Sequence, residues 1–191
     1  MSFAGDSYFQ ESFLNLSVSN ETIKSKEFEE CEFNGCSFID CKFEKCKFIN
    51  CKFSDCVISA VNPVDSWITD VEFSKCKVIG CDWTKASQIH GLNFTDCQIN
   101  YSNFAALKLP KIKMINCEAR DVDFTETDLT DGSFSGTDFE RTVFSRTNLT
   151  RANLKGAVNY RIDPRYNTLK KTHLSFPEAL SLLSCLDIVI D

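Results

Sequence analysis

The chain has 191 residues, with 21 Lys and Arg against 27 Asp and Glu, for a formal net charge of −6. This length allows one sizeable domain, and the acidic balance argues against a general binder of nucleic acid or of anionic membrane. No apolar run reaches the ~18 residues of a membrane span, and no N-terminal segment combines a basic flank, an apolar run and a cleavage site, so a cytoplasmic protein is expected.

In chain order, residues 1–25 are the least regular part. Phe3, Tyr8, Phe13, Val18 and Ile23 recur every fifth residue, but Asp6, Glu11, Glu21 and Lys26 stand where later units carry small residues. Burying a charge is costly, so this segment is expected to be an N-terminal cap or a set of degenerate repeats. From Phe28 the centres run Phe33, Phe38, Phe43, Phe48, Phe53 and Ile58, weaken at Pro63 and Ile68, and recover at Phe73, Val78 and Trp83. CEFNG CSFID CKFEK CKFIN CKFSD (Cys31 to Asp55) is one unit written five times. The phase then slips by one residue, which places an insertion in SQIHGL, and resumes from Phe94 to Leu154.

A period of five fits neither the 3.6-residue period of an α-helix nor the alternation of a strand. It fits a polygonal coil with one unit per side, which must stack on its neighbours to bury the centres. With only 7 Gly and 4 Pro in the chain, the turns must be made by other residues. Ten of the 11 Cys stand two residues before a centre, a slot filled elsewhere by Val, Ala, Ser, Thr, Leu, Ile or Gly. That pattern asks for small size and points to core thiols; metal, disulfide and redox roles are the alternatives, and the C-x4-C spacing lacks the C-x2-C of a zinc site.

After Ala157 the repeat is expected to end. NYRIDPRYNTLKKTHL reads as a turn and crossover, and Ser175-Phe-Pro-Glu178 as a capping box opening a helix. Its apolar stripe is Ala179, Leu182, Leu183 and Leu186, widened by Leu180 and flanked by Phe176. Ile188, Val189 and Ile190 follow as a short strand. The expected segments are thus 1–25, 26–158 and 159–191. No nucleophile stands with a base at a recognisable spacing, and there is no phosphate-cradling loop or H-E-x-x-H, so neither an enzyme nor a cofactor is expected.

The units DFTET DLTDG SFSGT DFERT VFSRT NLTRA NLKGA resemble the pentapeptide-repeat family over about residues 26–158. The resemblance implies an all-β fold, a right-handed quadrilateral β-helix with four units per coil and a short C-terminal capping and dimerisation helix. Residues one coil apart then stack: Asp121 on Arg141, Glu126 on Arg146, Asp131 on Lys111 and Arg151, and Lys108 on Asp128. From Glu118 to Glu140 eight acids surround one base, Arg120. Glu118, Asp123 and Asp138 lack a basic residue at that stacking distance, and with Glu140 they are the candidates for contacting a partner's basic groove. A solvated surface with Asp at its turns is the plainer reading of the same residues.

The stretches CKVIGCDWT, KIKMINCEARDVDFTETDL, GAVNYRID and LSFPEALSLLSCLDIVI narrow the resemblance to the topoisomerase-protecting branch, the albicidin-resistance and quinolone-resistance types. This implies a homodimer joined through Phe176, Ala179, Leu180, Leu182, Leu183 and Leu186. It also implies an acidic rod that imitates DNA, binds DNA gyrase and protects it from a poison. A scaffold rod with another protein partner is the alternative.

Overall fold

The computed structural model describes residues 3–186 and Ile188. Its strands are three residues long with the middle residue turned inward; Ser7–Phe9, Ser12–Leu14, Ser17–Ser19 and Thr22–Lys24 form the first coil. Each lies parallel to the strand one coil on, in the registers Ser7↔Glu27, Ser12↔Glu32, Ser17↔Ser37 and Thr22↔Lys42. The strands therefore sort into four sheets, one per side, and the fold is the expected all-β quadrilateral β-helix.

The corners answer the shortage of glycine. Except after Trp83, the residue two after a centre is left-handed along the coil, with φ from 51° at Asp65 to 64° at Lys111 among non-glycine corners. Such a conformation costs a non-glycine residue about 1–2 kcal/mol. It is offset by pairing: the corner N–H donates to a carbonyl of the next coil, as Asn15 does to Asn34 O at 2.9 Å.

Inside, the centres stack in columns. Phe13, Phe33, Phe53, Phe73 and Phe94 form one, with centroid separations of 4.8, 4.4, 4.9 and 5.1 Å and nearly parallel rings. Trp83, Phe104, Phe124 and Phe144 form another. Where the repeat weakens, Pro63 and Ile68 still occupy centres. With the Phe residues around them they line a cavity of about 40 Å³.

The slot two before each centre needs more than small size. Its thiol or hydroxyl donates to a carbonyl of the preceding coil: Cys51 Sγ to Phe28 O at 3.3 Å, Ser66 Oγ to Phe43 O at 2.8 Å and Thr137 Oγ1 to Met114 O at 2.6 Å. The same atom accepts the N–H of the slot residue above, as Cys56 Sγ does from Cys36 N at 3.3 Å. Cys, Ser and Thr are thus interchangeable as bridges between coils, while Val and Ala only fill the space. Burial pushes the thiols of Cys51 and Cys81 up to about 12. All 11 cysteines are free and ten are buried. In the folded protein a thiol reagent is expected to label Cys185 alone, with the rest reacting only after unfolding. Fast labelling of the buried ten in native buffer would contradict the packing.

Because slot side chains reach toward the preceding coil, those of the first coil have none to reach. Asp6, Glu11 and Glu21 are accordingly exposed rather than buried. Asp6 pairs with Lys26, the slot residue one coil on, at 2.7 Å. Residues 7–24 thus pair as full strands, and Phe3 closes the end, its ring edge-on to Tyr8, Phe13 and Phe28. Charges along an open strand edge also oppose edge-to-edge association.

The phase slip sits just before SQIHGL. A corner N–H regularly bonds the carbonyl 19 residues on, as Lys45 N does Val64 O, but Asp65 N bonds Lys85 O, so the added residue already lies within the short 3-10 turn Trp83–Lys85. The turn absorbs it, after which Ile68 pairs with Ile89.

The coil does not stop at Ala157. Asn148 pairs with Thr168 and Asn153 with His173, Tyr160 and Ile162 are buried, and Leu169 and Leu174 pack on the core. The terminal helix is a 3-10 helix, Glu178–Leu186. Its expected capping box is absent: Ser175 Oγ accepts from Gly156 N at 3.0 Å, tying the helix entrance to the coil. Of the predicted strand, Ile188 is exposed and outside any strand, and Val189 and Ile190 lie outside the described residues.

Candidate functional site

The eight acids between Glu118 and Glu140 divide by their position in the repeat. Asp121, Glu126 and Asp131 are left-handed corner residues. Each meets the arginine at the same corner of the next coil: Asp121–Arg141 at 2.7 Å, Glu126–Arg146 at 2.7 Å and Asp131–Arg151 at 2.6 Å. These are the pairs the stacking register predicts. Lys111 adds its attraction at Asp131.

Asp123, Asp128 and Asp138 stand one residue before a centre and do a different job. Their carboxylates accept turn N–H groups, Thr125 N at 2.8 Å, Thr130 N at 3.1 Å and Glu140 N at 3.1 Å respectively. Asn148 and Asn153 do the same for Thr150 and Lys155. A short side-chain acceptor at this point replaces a backbone turn. The Asp–Phe and Asp–Leu pairs of the sequence are therefore built into the corners. The expected Lys108–Asp128 ion pair does not form, although the two residues are neighbours in register. Asp128 instead accepts from Thr130 Oγ1 at 2.6 Å and Asn148 Nδ2 at 3.1 Å.

Two of the four candidate contact residues have basic partners after all. Arg120 reaches diagonally to Asp138, at 2.7 Å, and lies 3.6 Å from Glu140, which also holds Arg141 at 2.6 Å. The one-coil offset reaches Glu140 from Arg120 but misses Asp138, which is 18 residues from it. Glu118 and Asp138 pair on one face, with Arg120 and Glu140 beside them, while Asp123 lies on the adjoining face in register with Asn103. Glu118 accepts only a 3.5 Å bond from Gln98, and Asp123 has no salt bridge among the described residues. These two remain open to solvent-borne cations.

The ion pairs make the surface acid-sensitive. Arg141 holds the Asp121 carboxyl below its ordinary value, and Arg151 does so for Asp131. At Asp138 burial pushes upward, but hydrogen bonds from Asn159 and Arg120 outweigh it and the net direction is down. Carboxyls lowered on folding stabilise above the unfolded value, about 3.9 for Asp, and that contribution fades as pH falls through the lowered folded values. The melting temperature is expected to be flat near neutrality and to drop below about pH 4, with Arg120→Gln removing part of the drop. An unchanged melting temperature down to about pH 2 would contradict this.

At the other end, Phe176 is 81% exposed, with Leu180 and Leu186 about half exposed beside it. Ala179 and Leu183 are half-buried, and Leu182 packs on the core. The predicted stripe thus divides into a face that seals the coil and an outward apolar face. Among the described residues no helix is long and apolar enough to cross a membrane, and no group of three or more His, Cys, Asp or Glu is arranged to hold a metal ion.

Curated proteins include no match to this chain. Among solved structures, a trypsin-treated variant of QnrB1, a plasmid-mediated fluoroquinolone resistance protein, superposes with a TM-score of 0.77 at 20% identity, over 97% of this chain and 98% of its own. A second trypsin-treated variant gives 0.68 at 21% identity over 94% and 100%. The full-length form gives 0.51 at 22% identity over 95% and 100%. At these identities the likeness speaks to the fold. Two repeat models match the sequence itself, "Pentapeptide repeat region" over residues 26–104 and "Pentapeptide repeats (8 copies)" over residues 123–158. With inward centres and left-handed corners recurring through both matched regions, the chain belongs to the pentapeptide-repeat family.

Proposed function

We propose that this chain is a non-catalytic rod that binds DNA gyrase in place of DNA and protects it from a topoisomerase poison, acting as a homodimer joined through the terminal helix. The observation that carries the reading is the end-to-end likeness, rod and terminal helix together, to a fluoroquinolone resistance protein. Two surface features support it. Glu118 and Asp123 carry carboxylates without salt bridges on adjoining faces of the rod. The outward face of the terminal helix offers Phe176, Leu180 and Leu186 to a second copy.

The test is supercoiling and drug-induced cleavage by gyrase with increasing protein. No change in either at about micromolar protein sinks the reading. Within it, Asp123→Asn, which keeps the corner acceptor as Asn148 and Asn153 do, is expected to weaken gyrase binding about tenfold, and Asp121→Asn markedly less, because Asp121 is already neutralised by Arg141. Equal losses would remove Asp123 from the interface. Asp138→Lys is a poor probe, since it breaks the Arg120 bridge and a corner together.

A second reading is a scaffold rod for another protein. The engagement of most of the eight acids within the molecule favours it, as do exposed Trp67, Tyr101 and Tyr166. Aromatic residues of this kind are enriched at protein interfaces. Recovery of one partner other than gyrase, lost on Trp67→Ala or Tyr101→Ala, would decide for it.

A further inference from the structure

Between the last coil and the terminal helix lies an open recess of about 620 Å³, lined by Glu140, Arg141, Tyr160, Arg161, Glu178 and Ser181 among others. The volume falls in the range of small-molecule sites, about 300–1,000 Å³. Two of its polar atoms are anomalous. The Tyr160 hydroxyl and Ser181 Oγ are buried and make no hydrogen bond among the described residues. Buried polar groups are nearly always paired, and an unpaired one costs about 1–3 kcal/mol. Tyr160 is only 2% exposed, so its hydroxyl is held there by the core packing of its ring.

The charges in the recess are of two kinds. Glu140 and Arg141 are bound to each other at 2.6 Å, and Arg141 also to Asp121. Arg161 and Glu178 line the same recess and take part in no salt bridge among the described residues. Glu178 acts electrostatically on the Tyr160 hydroxyl, whose pKa is raised first by burial and then by this carboxylate. The recess therefore presents one unpaired cation and one unpaired anion, with two unpaired hydroxyls buried in its wall.

We propose that this recess binds a small zwitterion, a free α-amino acid or a dipeptide, with its carboxylate on Arg161 and its ammonium on Glu178, against the wall that holds Tyr160 and Ser181. A simple anion leaves Glu178 unanswered and a simple amine leaves Arg161 unanswered, so a molecule carrying both charges satisfies the site best. Sequence reading gives no hint of it, because Tyr160, Arg161 and Ser181 lie outside the repeat and meet only when the terminal helix folds back on the coil.

The experiment is calorimetry and thermal shift on the full chain with glycine, L-glutamine, L-arginine, L-glutamate and alanylalanine. Acetate and methylamine serve as half-ligands. At about 10 mM at least one zwitterion is expected to raise the melting temperature, and neither half-ligand to do so. The single amino acids and the dipeptide separate the two sizes of ligand. Arg161→Gln and Glu178→Gln should each lower the affinity about tenfold or more with the circular dichroism unchanged. Absence of any shift with all five zwitterions overturns the proposal, as does binding that survives the double variant. Arg161 is exposed, so its variant stays folded even where Tyr160→Phe does not.

Discussion

Replacing Phe33 with alanine is expected to lower the unfolding free energy by about 3–5 kcal/mol. Phe33 is fully buried, stacked between Phe13 at 4.8 Å and Phe53 at 4.4 Å, and edge-on to Phe28 at 5.5 Å and Phe38 at 6.0 Å. Each aromatic pair adds about 0.5–1.5 kcal/mol beyond the area it buries. In a solenoid each coil is stabilised by its neighbours, so the loss should fall first on the N-terminal coil that Phe33 holds through Phe13 and Phe28. Urea unfolding followed by circular dichroism gives the magnitude, and amide exchange gives the place. Phe9→Ala, on the exposed side of its strand, is the control and should change stability by less than about 0.5 kcal/mol. A loss below about 1 kcal/mol at Phe33 would mean that the ring column is not what holds the coils together.

The second large effect is on association. Phe176→Asp combined with Leu180→Asp is expected to weaken the proposed dimer about a thousandfold or more. Two apolar side chains are exchanged on each protomer, each worth about 1.5–3 kcal/mol when buried. A two-fold interface loses every contact twice. Sedimentation velocity over a concentration series measures it. A wild-type chain that is monomeric throughout sinks the dimer, and a double variant that dimerises as well as the wild type moves the interface elsewhere. Leu182→Asp should instead destabilise the chain itself, because that side chain packs on the core.

The fold was legible because a five-residue period admits few architectures, and because one fixed offset then stacks every residue on a known neighbour. Asp121, Glu126 and Asp131 found their arginines through that offset alone. The offset fails where a long side chain reaches diagonally, which hid Arg120 from Asp138. It says nothing about direction either. The charges at Asp6, Glu11 and Glu21 look misplaced until slot side chains are seen to point toward the preceding coil. The turn-capping role of Asp123, Asp128 and Asp138 was present in the sequence as the recurring Asp or Asn before the centre, but charge drew the reading toward a partner. At the C-terminus, Ser175-Phe-Pro-Glu178 has the letters of a capping box, yet Gly156 competes for the Ser175 hydroxyl and wins. Local pattern cannot reveal a tertiary competitor.

The backward reach of the slot side chains gives the rod a temporal order as well as a spatial one. Cys51 bonds the carbonyl of Phe28, Thr127 that of Phe104 and Thr147 that of Phe124, each 23 residues earlier. A chain leaving the ribosome N-terminus first therefore exposes each of these carbonyl acceptors before its side-chain donor is made. Each new coil arrives at a finished template, held at the far end by the Phe3 plug. Folding can keep pace with synthesis, with no long-range closure to wait for until the terminal helix seals the last coil.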